Sequence, residues 1–176
     1  MDGKTYTVEP QKAHVAQNSG DNEWYTPSPF ILAAEAVMGD IDLDPASSEI
    51  ANEAVNATTF FTEQDNGLEK PWFGRVWMNP PYAQPLVTQF CERLAQFYKS
   101  GKVTEAIVLI NNATETAFFQ DLAVHASAVC FPRGRVRFWH PNKVSSAPLQ
   151  GQAILYLGEQ PEVFCEEFAQ FGRCWQ

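Results

Sequence analysis

The spacing of apolar residues changes several times along the chain, and each change marks an element. Phe30, Ile31, Ala34, Val37 and Met38 recur at helical spacing. Ser28 reads as the N-cap of that helix, Pro29 as its first residue and Gly39 as its stop. Residues 40–47 (Asp-Ile-Asp-Leu-Asp-Pro-Ala-Ser) alternate as a short strand does, and Ser47 or Ser48 is placed to cap a helix over residues 49–55. Residues 58–62 are β-prone and run into the polar turn 63–68. A further apolar run, Val76-Trp77-Met78, ends abruptly in Asn79-Pro80-Pro81-Tyr82. Leu86, Val87, Phe90, Leu94, Phe97 and Tyr98 then form the stripe of a helix closed by Ser100-Gly101. Residues 106–110 are continuously apolar, as in a strand covered on both faces. Thr114 is expected to cap a helix to about residue 125 that packs through Phe118, Phe119 and Leu122.

Strand and helix alternate in this order, which implies an α/β fold with a largely parallel sheet and helices on both faces. The last third differs. Residues 128–131, 136–139 and 152–157 read as strands and give the sheet an antiparallel C-terminal edge. Pro161 opens a final helix with Val163, Phe164, Phe168 and Phe171 inward, and Gly172 is expected to end it. Residues 21–176 form one domain, the polar residues 1–20 read as a flexible leader, and 132–150 read largely as loop.

Composition narrows the function classes. Four cysteines show no CxxC spacing and three histidines are scattered, which argues against a zinc site or a disulfide framework and for a reducing cytoplasm. No apolar run approaches a membrane span, so no membrane partner is expected. The formal net charge of −9 disfavours nucleic acid as a partner, but its distribution reverses the point. No acidic residue lies between Asp121 and Glu159, where Arg133, Arg135, Arg137 and Lys143 all fall. One face of the molecule can therefore be basic.

The chemistry concentrates at Asn79-Pro80-Pro81-Tyr82. Neither proline has an N–H to donate, and each biases the residue before it away from the helical region, so a stiff extended turn follows the strand. Asn79 Oδ1 and the Pro80 carbonyl can both accept hydrogen bonds from one exocyclic NH2, while Tyr82 offers an aromatic face for the ring that carries it. With both hydrogens held, the nitrogen lone pair is drawn out of conjugation and can attack an electrophilic methyl. Upstream, Asp44 ends the first strand just before a helix and suits an amino group or ribose hydroxyls. Trp24 and Tyr25 suit a lid over the core, and Thr26 with the following helix start suits an anionic group such as the carboxylate of a methionine moiety.

The tetrapeptide resembles the catalytic motif of S-adenosylmethionine-dependent amino-methyltransferases. The ordered set Glu23-Trp24-Tyr25-Thr26-Pro27, Asp42-Leu43-Asp44-Pro45-Ala46-Ser47, residues 61–68, Trp77–Tyr82, residues 110–114 and residues 131–135 resembles the phage and prophage DNA adenine-N6-methyltransferases, the Dam-like family, over about residues 21–172. The resemblance implies a Rossmann-like methyltransferase fold, S-adenosylmethionine as cofactor, double-stranded DNA as partner, adenine N6 as acceptor, no metal and a bacterial cytoplasm. It implies catalytic roles for Asn79, Pro80, Pro81 and Tyr82, with the adenine flipped from the duplex and the methyl passed directly in line. It implies cofactor roles for Trp24, Tyr25, Thr26, Asp42, Asp44, Pro45, Ala46 and Asp65, and DNA contacts for Arg133, Arg135, Arg137 and Lys143, with recognition carried by loop 132–150. The sequence departs from the family where Ala46-Ser47-Ser48-Glu49 replaces a glycine-containing turn. The tetrapeptide alone equally allows an RNA or protein-glutamine substrate, or a DNA-binding relative without turnover.

Overall fold

The computed structural model describes residues 24–140 and 150–176. Lys143 and the leader expected over 1–20 lie outside the described residues. In chain order the elements are α1 (Ser28–Met38), β1 (Leu43–Asp44), α2 (Glu49–Val55), β2 (Thr59–Phe60), a 3-10 turn (Gly67–Glu69), β3 (Gly74–Met78), α3 (Leu86–Lys99), β4 (Val103–Asn111), α4 (Ala117–Ala123), β5 (Ala128–Pro132), β6 (Gln152–Leu157), α5 (Pro161–Phe168) and β7 (Gly172–Trp175). Among the described residues no helix is long and apolar enough to cross a membrane.

The strands form one sheet in the order β2-β1-β3-β4-β6-β5-β7. The first four pair in parallel; β6 runs antiparallel to both β4 and β5, and β7 antiparallel to β5. The expected antiparallel edge is therefore partly an insertion, since β6 sits between β4 and β5. β4 explains why both faces carry helices. Its side chains alternate across the sheet. Ile107 and Leu109 join a core with Ile31, Ala34 and Val37 of α1 and Phe164 and Phe168 of α5. Ala106, Val108 and Ile110 join the opposite core, with Val87, Phe90 and Leu94 of α3 and Phe118, Phe119 and Leu122 of α4. Each fully buried Ile, Val or Leu contributes roughly 1.5–3 kcal/mol, which is why a continuous apolar run is stable where both faces are covered.

Four local expectations are corrected. Pro27, without a side-chain bond, occupies the cap of α1, and Ser28 is its first helical residue. Thr116 rather than Thr114 precedes α4, again without a side-chain cap. Residues 136–139 form no ladder strand. The Val136 N–H is taken by Gln152 Oε1 at 3.3 Å, and only Trp139 bridges, to Tyr25. Gly172 starts β7 instead of merely stopping α5. A Cβ at Gly172 would lie 2.0 Å from the Phe131 carbonyl oxygen, so glycine is what lets this edge strand approach β5.

At the amino ends of β1 and β3, Asp42 clamps Arg75. Arg75 Nε and Nη2 reach its two carboxylate oxygens at 3.0 Å each, and the Arg75 N–H donates to Oδ2 at 2.8 Å. The hydrogen bond from Arg75 holds the Asp42 carboxyl below its ordinary pKa. Gly74, at φ +66°, makes room, since a Cβ there would lie 2.4 Å from Asp42 Oδ2. We expect Gly74→Ala to lower stability by about 2 kcal/mol, from the left-handed backbone and the displaced carboxylate together. That corresponds to a fall of roughly 4–8 °C in Tm for a chain of this size. An unchanged melting curve would show that the clamp tolerates the added methyl.

Candidate active site at the carboxyl ends of the strands

The chain leaves β1 through α2 to pair β2 on one side, then returns past β1 to place β3 on the other. Strand order thus reverses between β1 and β3, and in open α/β sheets ligands bind in the crevice outside the carboxyl ends at such a reversal. Asp44 ends β1, Asn79 follows β3, and Asn111 ends β4 opposite Gln152 of the inverted β6. All four lie at this one end of the sheet.

The proline pair terminates β3 as the sequence predicts, and Pro80 is buried. The Tyr82 hydroxyl donates to Asn79 Oδ1 at 3.0 Å and lies 3.4 Å from the Leu109 carbonyl oxygen. Asn79 Nδ2 donates to Thr26 Oγ1 at 3.2 Å. The amide is held at both ends, and its oxygen keeps one lone pair for a further donor. Tyr82 differs from the expected open stacking face. Its ring packs edge-on to Phe138 at 6.0 Å and its hydroxyl is directed inward, while the side chain as a whole keeps partial exposure. Burial pushes the phenol pKa far up, so the hydroxyl is a neutral donor and not a base.

Asp44 is 3 % exposed and faces no cation among the described residues. Its Oδ1 accepts from the Ala46 N–H at 3.1 Å. Burial raises its pKa to about 7, against smaller lowering effects of Ser47 and the Ala46 N–H. Ser48 Oγ caps α2 by accepting from Ala51. The neighbouring Ser47 Oγ is buried and makes no hydrogen bond of standard geometry, although it lies near enough to Asp44 to influence its charge. Buried polar groups are ordinarily satisfied; here a buried carboxylate with one backbone donor lies beside a hydroxyl without a bond of standard geometry. The loop is fixed around them: Ser47 N–H donates to the Phe61 carbonyl at 2.9 Å, and a Cβ at Gly67 would lie 2.0 Å from the Pro45 carbonyl oxygen.

Asp42 does not join this site. It sits at the opposite end of β1, consumed by Arg75, because Asp42 immediately precedes this two-residue strand and Asp44 is its last residue. Asp65 lies in the turn after β2, fully exposed, with Oδ2 accepting from the Thr62 N–H at 2.9 Å and hydroxyl at 2.7 Å. These bonds lower its pKa, and they fit a turn-closing role.

Tyr25 is buried and exchanges backbone hydrogen bonds with Trp139, at 2.9 and 3.0 Å. Its ring stacks on His140 at 6.0 Å, and Trp24 meets the same histidine edge-on at 5.9 Å. Trp24 and Tyr25 thus close over the end of the arginine segment. Arg133, Arg135 and Arg137 are exposed while Val136 and Phe138 are buried, so the arginines face solvent together without a regular strand. The one ion pair among the described residues is Asp42–Arg75, and none involves these arginines. The sequence reading missed Ser47, the Leu109 carbonyl and Gln152. Two adjacent serines of which only one can cap a helix were the available signal for the first.

A family model described as DNA N-6-adenine-methyltransferase (Dam) matches residues 12–159. No curated protein matches the chain. Among the described residues no group of His, Cys, Asp and Glu is arranged to hold a metal ion.

The environment of Asp44 has a consequence for pH. Its folded pKa of about 7 lies above its ordinary 3.8, so the folded protein binds this proton more tightly than the unfolded chain. The group therefore imposes no penalty below about pH 4, costs progressively more stability as pH rises, and levels off above about pH 7, at on the order of 4 kcal/mol. Asp44→Asn should flatten that slope and raise stability at pH 8 relative to pH 5 in the ligand-free protein. Denaturant titrations of both proteins at the two pH values check this, and parallel curves would refute a buried, unpaired carboxylate.

Proposed function

The chain belongs to the DNA N-6-adenine-methyltransferase (Dam) family, and on that premise we propose that it methylates N6 of adenine in double-stranded DNA, using S-adenosylmethionine. The observation that carries the reading is the Asn79 amide at the crevice, fixed by Tyr82 and Thr26 with an acceptor lone pair remaining. An overall Rossmann-like methyltransferase fold agrees with the parallel β2-β1-β3-β4 half of the sheet and its reversal.

The donor set fits the cofactor. Asp44, with the turn Pro45-Ala46 and the orphaned Ser47 hydroxyl, would hold the hydroxyls or ammonium of S-adenosylmethionine, which supplies an electrophilic methyl on a sulfonium. Donors of that kind restore the partners that burial has taken from Asp44. Asp65 and the aromatic pair Trp24 and Tyr25 border the same end of the sheet. On the acceptor side, Asn79 Oδ1 and the Pro80 carbonyl take the two hydrogens of the amine, so the nitrogen lone pair points out of the ring plane. Because these acceptors are fixed before the substrate arrives, little reorganisation accompanies the reaction. An adenine inside a duplex cannot reach them, so the base must leave the stack, and Tyr82, whose ring keeps partial exposure beside Asn79, would border it there. The exposed Arg133, Arg135 and Arg137 supply phosphate contacts, which position the duplex without reading its sequence.

Purified protein incubated with radiolabelled S-adenosylmethionine and DNA, RNA or protein in parallel tests the substrate class. Label should enter DNA as N6-methyladenine; label confined to RNA or protein would overturn the assignment. Asn79→Ala should retain cofactor binding and lose about 10²–10³ in transfer rate, the usual effect of removing one preorganised group. Near-native turnover in that variant would remove Asn79 from the chemistry.

Arg133→Ala combined with Arg135→Ala should weaken binding to all duplex sequences alike and make the slope of log affinity against log salt shallower, by up to roughly 0.9 per lost contact. If the arginines serve only the fold, the double variant instead melts lower while its salt slope stays unchanged.

A further inference from the structure

The hydroxyl of Thr26 is expected from sequence to face an anionic ligand, yet in the structure it is the acceptor for Asn79 Nδ2 at 3.2 Å, across 53 residues of chain. We infer that Thr26 is a positioning residue for the methyl-accepting site, fixing the plane of the Asn79 amide. The inference rests on the reading of Asn79 as the acceptor of the substrate amine. Thr26 is 7 % exposed, one of three buried polar or charged residues among the described residues. Its backbone is anchored on both sides. Before it, Tyr25 and Trp139 exchange N–H to carbonyl bonds at 2.9 and 3.0 Å; after it, the Pro27 carbonyl accepts from the Phe30 N–H at 3.0 Å as α1 begins. Oγ1 is therefore carried by a segment with little freedom to follow the amide.

An asparagine side chain bonded at one end can still swing about its Cβ–Cγ bond, whose torsional preference is broad. Tyr82 alone leaves that freedom, because its hydroxyl also has the Leu109 carbonyl within 3.4 Å as an alternative acceptor. The bond to Thr26 removes the freedom. With the amide plane fixed, Oδ1 keeps its remaining lone pair in one direction, which is what a preorganised acceptor requires. The same strap joins Thr26 through Tyr25 to Trp139, at the end of the arginine segment.

Thr26→Val preserves shape and removes the acceptor; Thr26→Ser keeps the oxygen. In single-turnover methyl transfer at saturating cofactor and DNA, Thr26→Val should be about 10- to 100-fold slower, the range expected for a misplaced reacting group. Its affinities for S-adenosylmethionine and DNA should stay within about twofold, with Thr26→Ser recovering most of the rate. Melting curves confirm that the variants are folded. Weakened cofactor affinity with a normal saturated rate would assign Thr26 to the ligand instead and overturn the inference, as would a Ser variant no faster than Val. If the wild-type protein methylates nothing, the functional reading fails, and the inference is judged by NMR alone. The Asn79 side-chain NH2 signals, identified by their loss in Asn79→Ala, should exchange slowly in wild type and Thr26→Ser and rapidly in Thr26→Val. Equal exchange in all three overturns it.

Discussion

Two residues without an N–H determine where this sheet stops. β3 lies between β1 and β4, inside the sheet, and its last three residues are buried, so each backbone donor there needs a partner. Pro80 and Pro81 need none, so the chain can leave the ladder there at no cost in unpaired donors. Their fixed φ angles then carry it outward to Tyr82, which folds back so that its hydroxyl reaches Asn79 and the end of β4. Because β1 and β3 are neighbours whose connections run to opposite sides, the place where the prolines release the chain is also where the crevice opens. A position set by backbone chemistry and a crevice set by topology coincide at Asn79.

Two aspartates separated by one leucine show how finely that end of the sheet differs from the other. Asp42 is charged, held by a guanidinium and a backbone N–H, and its bonds tie β1 to β3. Asp44 is buried with one backbone donor and no cation. The first carboxylate stabilises the fold and the second weighs against it. Keeping a carboxylate where its charge is disfavoured makes physical sense when a ligand supplies the missing donors, and strongly perturbed groups gather at functional sites for this reason. The orphaned Ser47 hydroxyl beside Asp44 belongs to the same unfinished network.

Much of this was legible in the residues. The apolar run 106–110 gave the central strand because only burial on both faces stabilises it, and Asn-Pro-Pro-Tyr gave the end of β3 because proline chemistry is local. What escaped was set by contacts distant in sequence. Alternation alone makes Asp42 and Asp44 look equivalent, and only the pairing of β1 with β3 assigns Arg75 to one of them. Val136 to Trp139 alternates like a strand, but its N–H is claimed by a buried glutamine sixteen residues on, which no periodicity announces. β7 is four residues long and depends on Gly172 passing close to Phe131, a packing fact that reads in sequence as a helix stop. Asn-Pro-Pro-Tyr suggests a free Tyr82 ring face, whereas its hydroxyl turns inward, because an aromatic with a polar tip at a core boundary satisfies that tip first.

The inversion of β6 bears on how an acidic protein can meet DNA. Had β6 been parallel, its first residues would lie at the amino end of the sheet, far from Asn79. Antiparallel pairing with β4 instead brings Gln152 opposite Asn111, at the crevice. Gln152 then takes the Val136 N–H, so the arginine segment is drawn to the same end, and a Cβ at Gly151 would lie only 3.0 Å from an Arg135 guanidinium nitrogen. Charge location, not the total of −9, decides the local potential within a Debye length of about 8 Å at physiological salt. With Asp42 neutralised by Arg75 at the far end and burial raising the Asp44 pKa and so disfavouring its charge, the crevice carries less negative charge than the composition suggests. Arg133, Arg135 and Arg137 are exposed at that same end, so the local potential there differs from the one the net charge implies.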